Sequence, residues 1–536
     1  MARTGGVWRT TVLTHGRTLT RVRPNELAPA SVFRGMLTLL DLPRELLARI
    51  LCALPCDEHA RCIVLNRRFA ALIGSGATWT RVAFACNRTL DVATRRTLLQ
   101  RAGGALREVD ASEAHAADEG VLKATLALLS EAQRGALTAL RCTQRRYNSR
   151  SATPLPDVEA ALAQCPSLQN LEVDVRSETL AQLAALMRIS PQLRVHCAYF
   201  GDVGQAQSPA EVQADFRILL RGCAEVRSDF LQPMPLSALE AALEAERGGG
   251  GPCARVFLRQ NSADAAWLAR QPCVTGIQLA DAPSDDAFHE LCAALEMPDC
   301  TVRLLSLKGV EFSKASQLRL AQALDRGVQL QHLELSFGWD QVEEHVDPEI
   351  ALHNGLNFPL LCTAIANSQV HTLMLDGVGC MNFAAVVLLV CASRALRHLS
   401  VSSCGFSESD LAELAKVLAS PRSRLAILCI SNEGLGRTGA AALAEMLRHN
   451  TSLRELHAGA QDTLIGDGRP RLWSDSDVET VLEALRENTT LRQLTLPKLD
   501  ADGELLQAWS LRELRIAALR TECPRAADVR ISEWSD

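Results

Sequence analysis

From residue 79 to near the C-terminus one pattern recurs: apolar-x-x-apolar-x-apolar, a polar loop, then apolar residues three and four apart. The six-residue cores begin at Trp79, Leu106, Leu137, Leu168, Leu193, Cys223, Cys253, Val274, Val302, Leu330, Val370, Leu396, Leu425, Leu453, Leu491 and Leu511. The clearest copies read LQNLEV, LQHLEL, VHTLML, LRHLSV, LRELHA and LRQLTL. Alternation with period two predicts a short strand whose fourth and sixth positions face inward while the third, fifth and seventh face outward. The segment after each core has helical period: Leu411, Leu414 and Leu418; Leu443, Met446 and Leu447; Val478, Val481, Leu482 and Leu485. Most cores lie 25 to 31 residues apart. The intervals of 21 (Cys253 to Val274) and 20 (Leu491 to Leu511) predict local irregularity, with little room for a helix. The copies at Leu193 and Cys223 are the most degenerate.

A single strand–helix unit cannot bury its own apolar face, whereas stacked units can, and helices along the outside force the stack to curve. This self-similarity resembles leucine-rich repeats, and the repeat length with true helices resembles their ribonuclease-inhibitor class. The resemblance implies an α/β fold, a curved leucine-rich-repeat solenoid shaped as a horseshoe, over residues 77–522. The copy from Leu425 contains Gly439-Ala440-Ala441-Ala442-Leu443-Ala444, similar to the GALA-type repeats of secreted bacterial effectors. Asn432 sits where such a repeat's asparagine bonds neighbouring loop backbone. Three insertions, Thr143 to Pro156, Phe337 to Phe358 and Gln461 to Asp477, read as loops available for binding. The glycine run from Gly248 to Gly251 reads as a flexible joint between two halves.

Ahead of the repeats, Leu42-Pro43-Arg44-Glu45-Leu46-Leu47 opens an amphipathic helix. Proline is tolerated in its first turn, where the missing N–H has no intrahelical acceptor. Leu46, Leu47, Ile50, Leu51 and Leu54 share one face, and a second apolar run leads to Arg67-Arg68-Phe69. The stretch resembles an F-box, the helical module that docks on the Skp-type adaptor of SCF ubiquitin ligases. Leu42, Pro43, Glu45, Leu46, Ile50, Leu54 and Phe69 are the positions that resemblance assigns to adaptor binding. His59 stands where the family has leucine, and Phe69 where it has tryptophan. The domain reading is a disordered tail at 1–36, an F-box-like module at 37–76, the solenoid at 77–522 and a C-terminal tail at 523–536.

Composition narrows the function classes. With 56 basic and 62 acidic residues the net charge is −6, which implies no basic domain for nucleic acid. Only Lys123, Lys308, Lys314, Lys416 and Lys498 are lysines, so a ligase component would offer few ubiquitin acceptors on itself. Eighteen cysteines are scattered through apolar patterns, as at Cys197, Cys292, Cys391 and Cys429, with no C-x-x-C pair. They read as small buried hydrophobes of a reducing compartment rather than a zinc site. The longest apolar run, Phe383 to Cys391, is too short for a membrane span and reads as a buried helix. Asn87, Asn450 and Asn488 fall in N-x-S/T sequons, without meaning in a cytosolic chain. No nucleophile elbow, P-loop, H-E-x-x-H or dinucleotide fingerprint is present, and no cofactor is expected.

Recognition remains. The outward positions of the C-terminal repeats nominate a target-binding set: Ser306, Lys308, His332, Glu334, Thr372, Met374, Asp376, His398, Ser400, Glu455, His457 and Arg515. Small, polar and mixed in charge, it suits a protein partner better than a metabolite. His332, His398 and His457 could form a weakly pH-sensitive strip. Lys308 and Arg515 are too sparse for phosphate. The expectation is a non-catalytic substrate receptor, joining a Skp-type adaptor and through it a cullin ligase to an unidentified target protein. It would work in the cytoplasm, or in a host cytoplasm or nucleus as a secreted effector. The alternative is a non-catalytic scaffold or inhibitor whose N-terminal helices only cap the solenoid.

Overall fold

The structure, a computed structural model, describes residues 13–14, 17–18, 81–83, 96, 99–100, 104, 106–111, 121–143, 152–191, 193–201, 207–228, 234–247, 254–308, 310, 313–335, 358–375, 383–402, 404, 407–430, 437–458, 475–496 and 530–533. The F-box-like stretch, Leu42 through Phe69, lies outside the described residues, as do Asp376, Asn432 and Arg515.

The predicted cores become parallel strands. In chain order these are β3 (Arg81–Ala83), β4 (Glu108–Asp110), β5 (Ala139–Cys142), β7 (Asn170–Ser177), β8 (Arg194–Phe200), β9 (Cys223–Ser228), β10 (Arg255–Gln260) and β11 (Val274–Leu279). Then come β12 (Leu304–Ser306), β13 (His332–Glu334), β14 (Thr372–Met374), β15 (His398–Ser400), β16 (Ile427–Cys429), β17 (Glu455–His457), β18 (Gln493–Leu496) and β19 (Arg530–Glu533). Each pairs in parallel with the next. Parallel neighbours need a crossover, and helices supply it, among them Leu180–Ile189, Pro209–Gly222, Asp285–Leu295, Lys314–Asp325, Glu408–Leu418 and Arg437–His449.

Inward strand positions carry the core. Val82, Val109, Leu140, Leu171, Leu305, Leu333, Leu373, Leu399, Leu428, Leu456 and Leu494 are all buried and belong to one continuous cluster. Leu411, Leu414, Leu418, Leu443, Met446 and Leu447 meet them from the helices. A leucine fully removed from water contributes about 1.5–3 kcal/mol, so stacking repeats is the dominant stabilising act. Serine and threonine start the helices. Ser130, Thr179, Ser208 and Ser407 form capping boxes with Gln133, Gln182, Glu211 and Asp410. At the other helix end, the asparagines of the two C-terminal sequons are structural. Asn450 Nδ2 donates to Leu418 O at 2.6 Å, and its Oδ1 accepts from the Ser452 and Leu453 N–H groups at 2.9 and 2.6 Å. Asn488 repeats the motif one unit on, donating to Leu447 O and Asn450 O. Both are buried, so neither amide is accessible for glycosylation in the folded chain.

Several expectations need correction. The strand beside β18 is β19, within the segment expected to be a tail at 523–536; the core at Leu511 lies outside the described residues. The 21-residue interval holds a helix after all, the eight-residue Ser262–Ala269. The copies at Leu193 and Cys223 form full strands. The first looks degenerate because the β7–β8 register shifts at the step from Val173 to Asp174, leaving His196 without a strand partner and Cys197 opposite Asp174. Whatever Gly248 to Gly251 does, the sheet is not divided there, for β9 and β10 pair across it. The Phe383–Ala392 helix is not buried all round, since Leu388 and Cys391 are exposed. Within the Thr143 to Pro156 insertion, β6 (Thr153–Pro154) pairs with the end of β7, in line with β5. In the segment expected to be disordered, β1 (Leu13–Thr14) and β2 (Arg17–Thr18) form a small antiparallel hairpin.

Candidate functional site: the outward face of the sheet

Register converts the outward positions into two continuous rows. One runs Arg176, Tyr199, Arg227, Phe257, Gly276, Leu304, His332, Thr372, His398, Ile427, Glu455, Gln493. The other runs Arg259, Gln278, Ser306, Glu334, Met374, Ser400, Cys429, His457, Thr495. The structure thus brings most of the predicted target-binding residues onto one surface. Lys308, two residues past β12, is exposed at its rim.

Much of this surface is already hydrogen-bonded across strands. Ser306 Oγ donates to Glu334 Oε2 at 2.7 Å. His457 Nδ1 lies 3.0 Å from Thr495 Oγ1, and its Nε2 lies 3.4 Å from Glu455 Oε2. The Cys429 thiol meets His398 Nε2 at 3.8 Å. The three histidines do not form one strip: His332 and His398 share the first row, and His457 sits in the second. Nor does His332 titrate near neutrality. Burial first, then the nearby His398, Arg227 and His371, push its pKa down to about 4.

The N-terminal half, where sequence reasoning nominates no residue, is where the same face closes on itself. Glu225 and Arg227 are both buried, with Arg227 Nε donating to Glu225 Oε1 at 2.6 Å and Arg255 Nη2 3.4 Å from Glu225 Oε2. The Arg227 guanidinium lies 5.0 Å from the centroid of Phe257 and 6.0 Å from that of Tyr199. Burial opposes the Arg227 charge, but Glu225, then Tyr199, outweigh it and raise its pKa. The Phe257 ring packs against Gly276, where an added Cβ would come within 2.3 Å of its Cδ2. Cys197 and Tyr199 pack with Ala152 in a cluster separate from the main core. The signal was present in the sequence, as charged and aromatic residues at alternate positions of Glu225-Val226-Arg227 and Arg255-Val256-Phe257. Farther along, Arg81 pairs with Glu108 and Asp110, and Arg141 with Glu172.

Among the described residues no group of three His, Cys, Asp or Glu could hold a metal ion, and no helix is long and apolar enough to cross a membrane. Most described cysteines are buried, and burial pushes the thiols of Cys223, Cys292 and Cys362 up to about 12. They are inert, in keeping with small core hydrophobes.

The alternation of strand and helix, the parallel register and the buried leucine row define a leucine-rich-repeat solenoid. A curated relative agrees: the ribonuclease inhibitor of Sus scrofa is 29% identical over 212 residues, 39% of this chain and 44% of the relative, so the chain matches less than half of that protein's length. No family model matches the chain. Among solved structures, the Rad7 and Elc1 complex in yeast is similar at 13% identity and TM-score 0.36, covering 67% of this chain and 76% of that one. The TLR13–ssRNA13 complex is similar at 12% identity and TM-score 0.21, covering 78% and 60%.

Proposed function

We propose that the chain is a substrate-receptor subunit of an SCF-type ubiquitin ligase. The single observation that carries this reading is the run from Leu42 to Phe69, an F-box-like sequence set directly before a leucine-rich solenoid. Leu42, Pro43, Glu45, Leu46, Ile50, Leu54 and Phe69 would engage a Skp-type adaptor, as one module over residues 37–76. The outward rows, with Lys308, His332, Glu334, His398 and Glu455 among their polar groups, would hold the target protein. A polar sheet face whose described residues are largely hydrogen-bonded to one another favours a protein partner over a small metabolite. The mechanism needs no catalytic group on this chain. Tethering raises the target's effective concentration near the charged ubiquitin carrier by orders of magnitude.

The test is capture of a purified Skp-type adaptor by the full chain, with and without Leu42→Ala/Pro43→Ala. Binding that the double variant abolishes supports the reading; binding unaffected by it, or no binding, refutes it. The similarity to a ribonuclease inhibitor favours a second reading, an inhibitor that covers another protein with this face. It is distinguished by a stable one-to-one complex that forms without adaptor and yields no ubiquitin transfer.

A further inference from the structure

The turns that lead from each helix back into the sheet lie along one edge of the solenoid, and toward the C-terminus this edge is strongly cationic. Residues 393–397, 419–426 and 449–454 contain no acid, and residues 486–492 contain only Glu487. Against that stand seven exposed arginines, Arg394, Arg397, Arg422, Arg424, Arg454, Arg486 and Arg492, in a chain whose net charge is −6. Their alignment is fixed by the backbone. The N–H of Ala426 donates to Arg397 O, that of Arg454 to Ala426 O, and that of Arg492 to Arg454 O, each at 2.7 Å. Neighbouring strands lie about 4.8 Å apart, so the strip from Arg397 to Arg492 spans about 14 Å.

An arginine beside a helix C-terminus is also what the helix dipole favours, and Arg397 serves that purpose: its Nη1 donates to the carbonyls of Arg394, Ala395 and Leu396. Other arginines near this edge are neutralised, with Arg448 on Glu445 and Glu487, and Arg486 on Glu483. Arg422, Arg424, Arg454 and Arg492 differ. Among the described residues none has a carboxylate within 4.0 Å or a side-chain hydrogen bond. Arg454 and Arg492 flank a cleft of about 630 Å³ lined by the hydroxyl residues Thr451, Ser452, Thr489 and Thr490. The Ser452 and Thr490 hydroxyls already donate, to Ser423 Oγ and Asn450 O, but two guanidinium groups with the Thr451 and Thr489 hydroxyls around one polar cleft are donors suited to a tetrahedral oxyanion. The four turns contain no Phe, Tyr or Trp on which bases could stack, which disfavours single-stranded nucleic acid. They present no apolar wedge for a bilayer either.

We propose that this arginine edge, centred on the Arg454–Arg492 cleft, binds a phosphorylated segment of a protein partner, with one phosphate in the cleft and a second at Arg422 and Arg424. One to two strand steps separate those points, about 5 to 10 Å, within the span of three extended residues. The inference rests on reading the solenoid as a protein-binding surface, and it is independent of adaptor docking.

The test uses the full chain and a fluorescein-labelled Gly/Ser peptide carrying two phosphoserines three residues apart, read by fluorescence polarisation. The expected result is binding at least tenfold tighter than to the unphosphorylated peptide, weakened at least tenfold by Arg454→Ala/Arg492→Ala and lessened by raising salt. Arg422→Glu/Arg424→Glu is the second variant; it decides the matter if the first does not fold. Equal affinity for both peptides, or affinity unchanged in the folded variants, overturns the proposal. So does tighter, arginine-dependent binding of a single-stranded oligonucleotide or of an anionic lipid vesicle. Phosphopeptide binding that survives Leu42→Ala/Pro43→Ala while adaptor capture fails in the parent chain would remove the ligase reading and leave this one standing.

Discussion

Replacing Asn450 by alanine removes four side-chain hydrogen bonds at once from the joint between two repeats, the longest of them from its Nδ2 to Ser452 Oγ at 3.5 Å. Asn450 is 3% exposed and spans from Leu418 O on the preceding repeat to the N–H groups of Ser452 and Leu453 on its own. Ser452 is half-buried, so its N–H regains water in the variant. Leu453 and Leu418 are buried, and their freed N–H and C=O do not. Each buried polar group left without a partner costs about 1–3 kcal/mol, so the two together cost on the order of 3 kcal/mol. Asn488 keeps its own bonds to Leu447 O and Asn450 O, both backbone acceptors, so the loss stays local. The assay is urea unfolding of the full chain followed by far-UV circular dichroism, with Thr451→Ala as the exposed control, expected within about 0.5 kcal/mol of the parent. A loss below about 0.5 kcal/mol for Asn450→Ala would refute the idea that the asparagine joins adjacent repeats.

The closed half of the sheet face and its neighbour His332 give two further expected outcomes. Arg227→Leu leaves the buried Glu225 carboxylate with only the more exposed Arg255 and the Cys197 thiol as partners and is expected to cost about 3 kcal/mol in chemical denaturation, whereas Glu225→Leu/Arg227→Leu recovers most of that loss; equal losses in the two variants would contradict the pairing. His332, held at about 4 against an ordinary 6.5, stays neutral in the folded chain while the unfolded chain takes up a proton. Its contribution therefore makes the fold lose stability as pH falls from about 6.5 toward 4, by on the order of 2 to 3 kcal/mol. His332→Gln should flatten that part of the pH–stability profile, and an unchanged slope would show that the imidazole is not desolvated as described.

The fold was legible because its signal is repeated. Leu333 and Leu335, or Leu456 and Ala458, fall at the predicted fourth and sixth positions and are buried there. The outward set was legible from the same alternation. What the repeat pattern hides is pairing between repeats. Nothing in one copy tells that Ser306 will meet Glu334 or that Phe257 will lie over Gly276. The extra residue His196 in β8 also breaks the alternation near Cys197, so the copy at Leu193 looks weak although it forms a full strand. In the C-terminal repeats, outward strand positions alone offer phosphate only Lys308 and Arg515. The arginines that cluster occupy the second core position and the turns before it, brought into register only by the ladder from Arg397 to Arg492. The C-terminal boundary failed for a related reason. RISE at Arg530–Glu533 lacks the leucine pattern yet adds the next strand in parallel register with β18.

The central claim, that this solenoid is a receptor carried on an adaptor-docking module, meets its most direct test in one titration. Purified Skp-type adaptor is added to the immobilised full chain, to Leu42→Ala/Pro43→Ala and to Arg227→Leu, the last as a control that perturbs only the solenoid. Saturable binding to the full chain and to Arg227→Leu, with at least a tenfold loss in Leu42→Ala/Pro43→Ala, is the predicted result. No binding to the parent chain, or equal binding by all three, contradicts it.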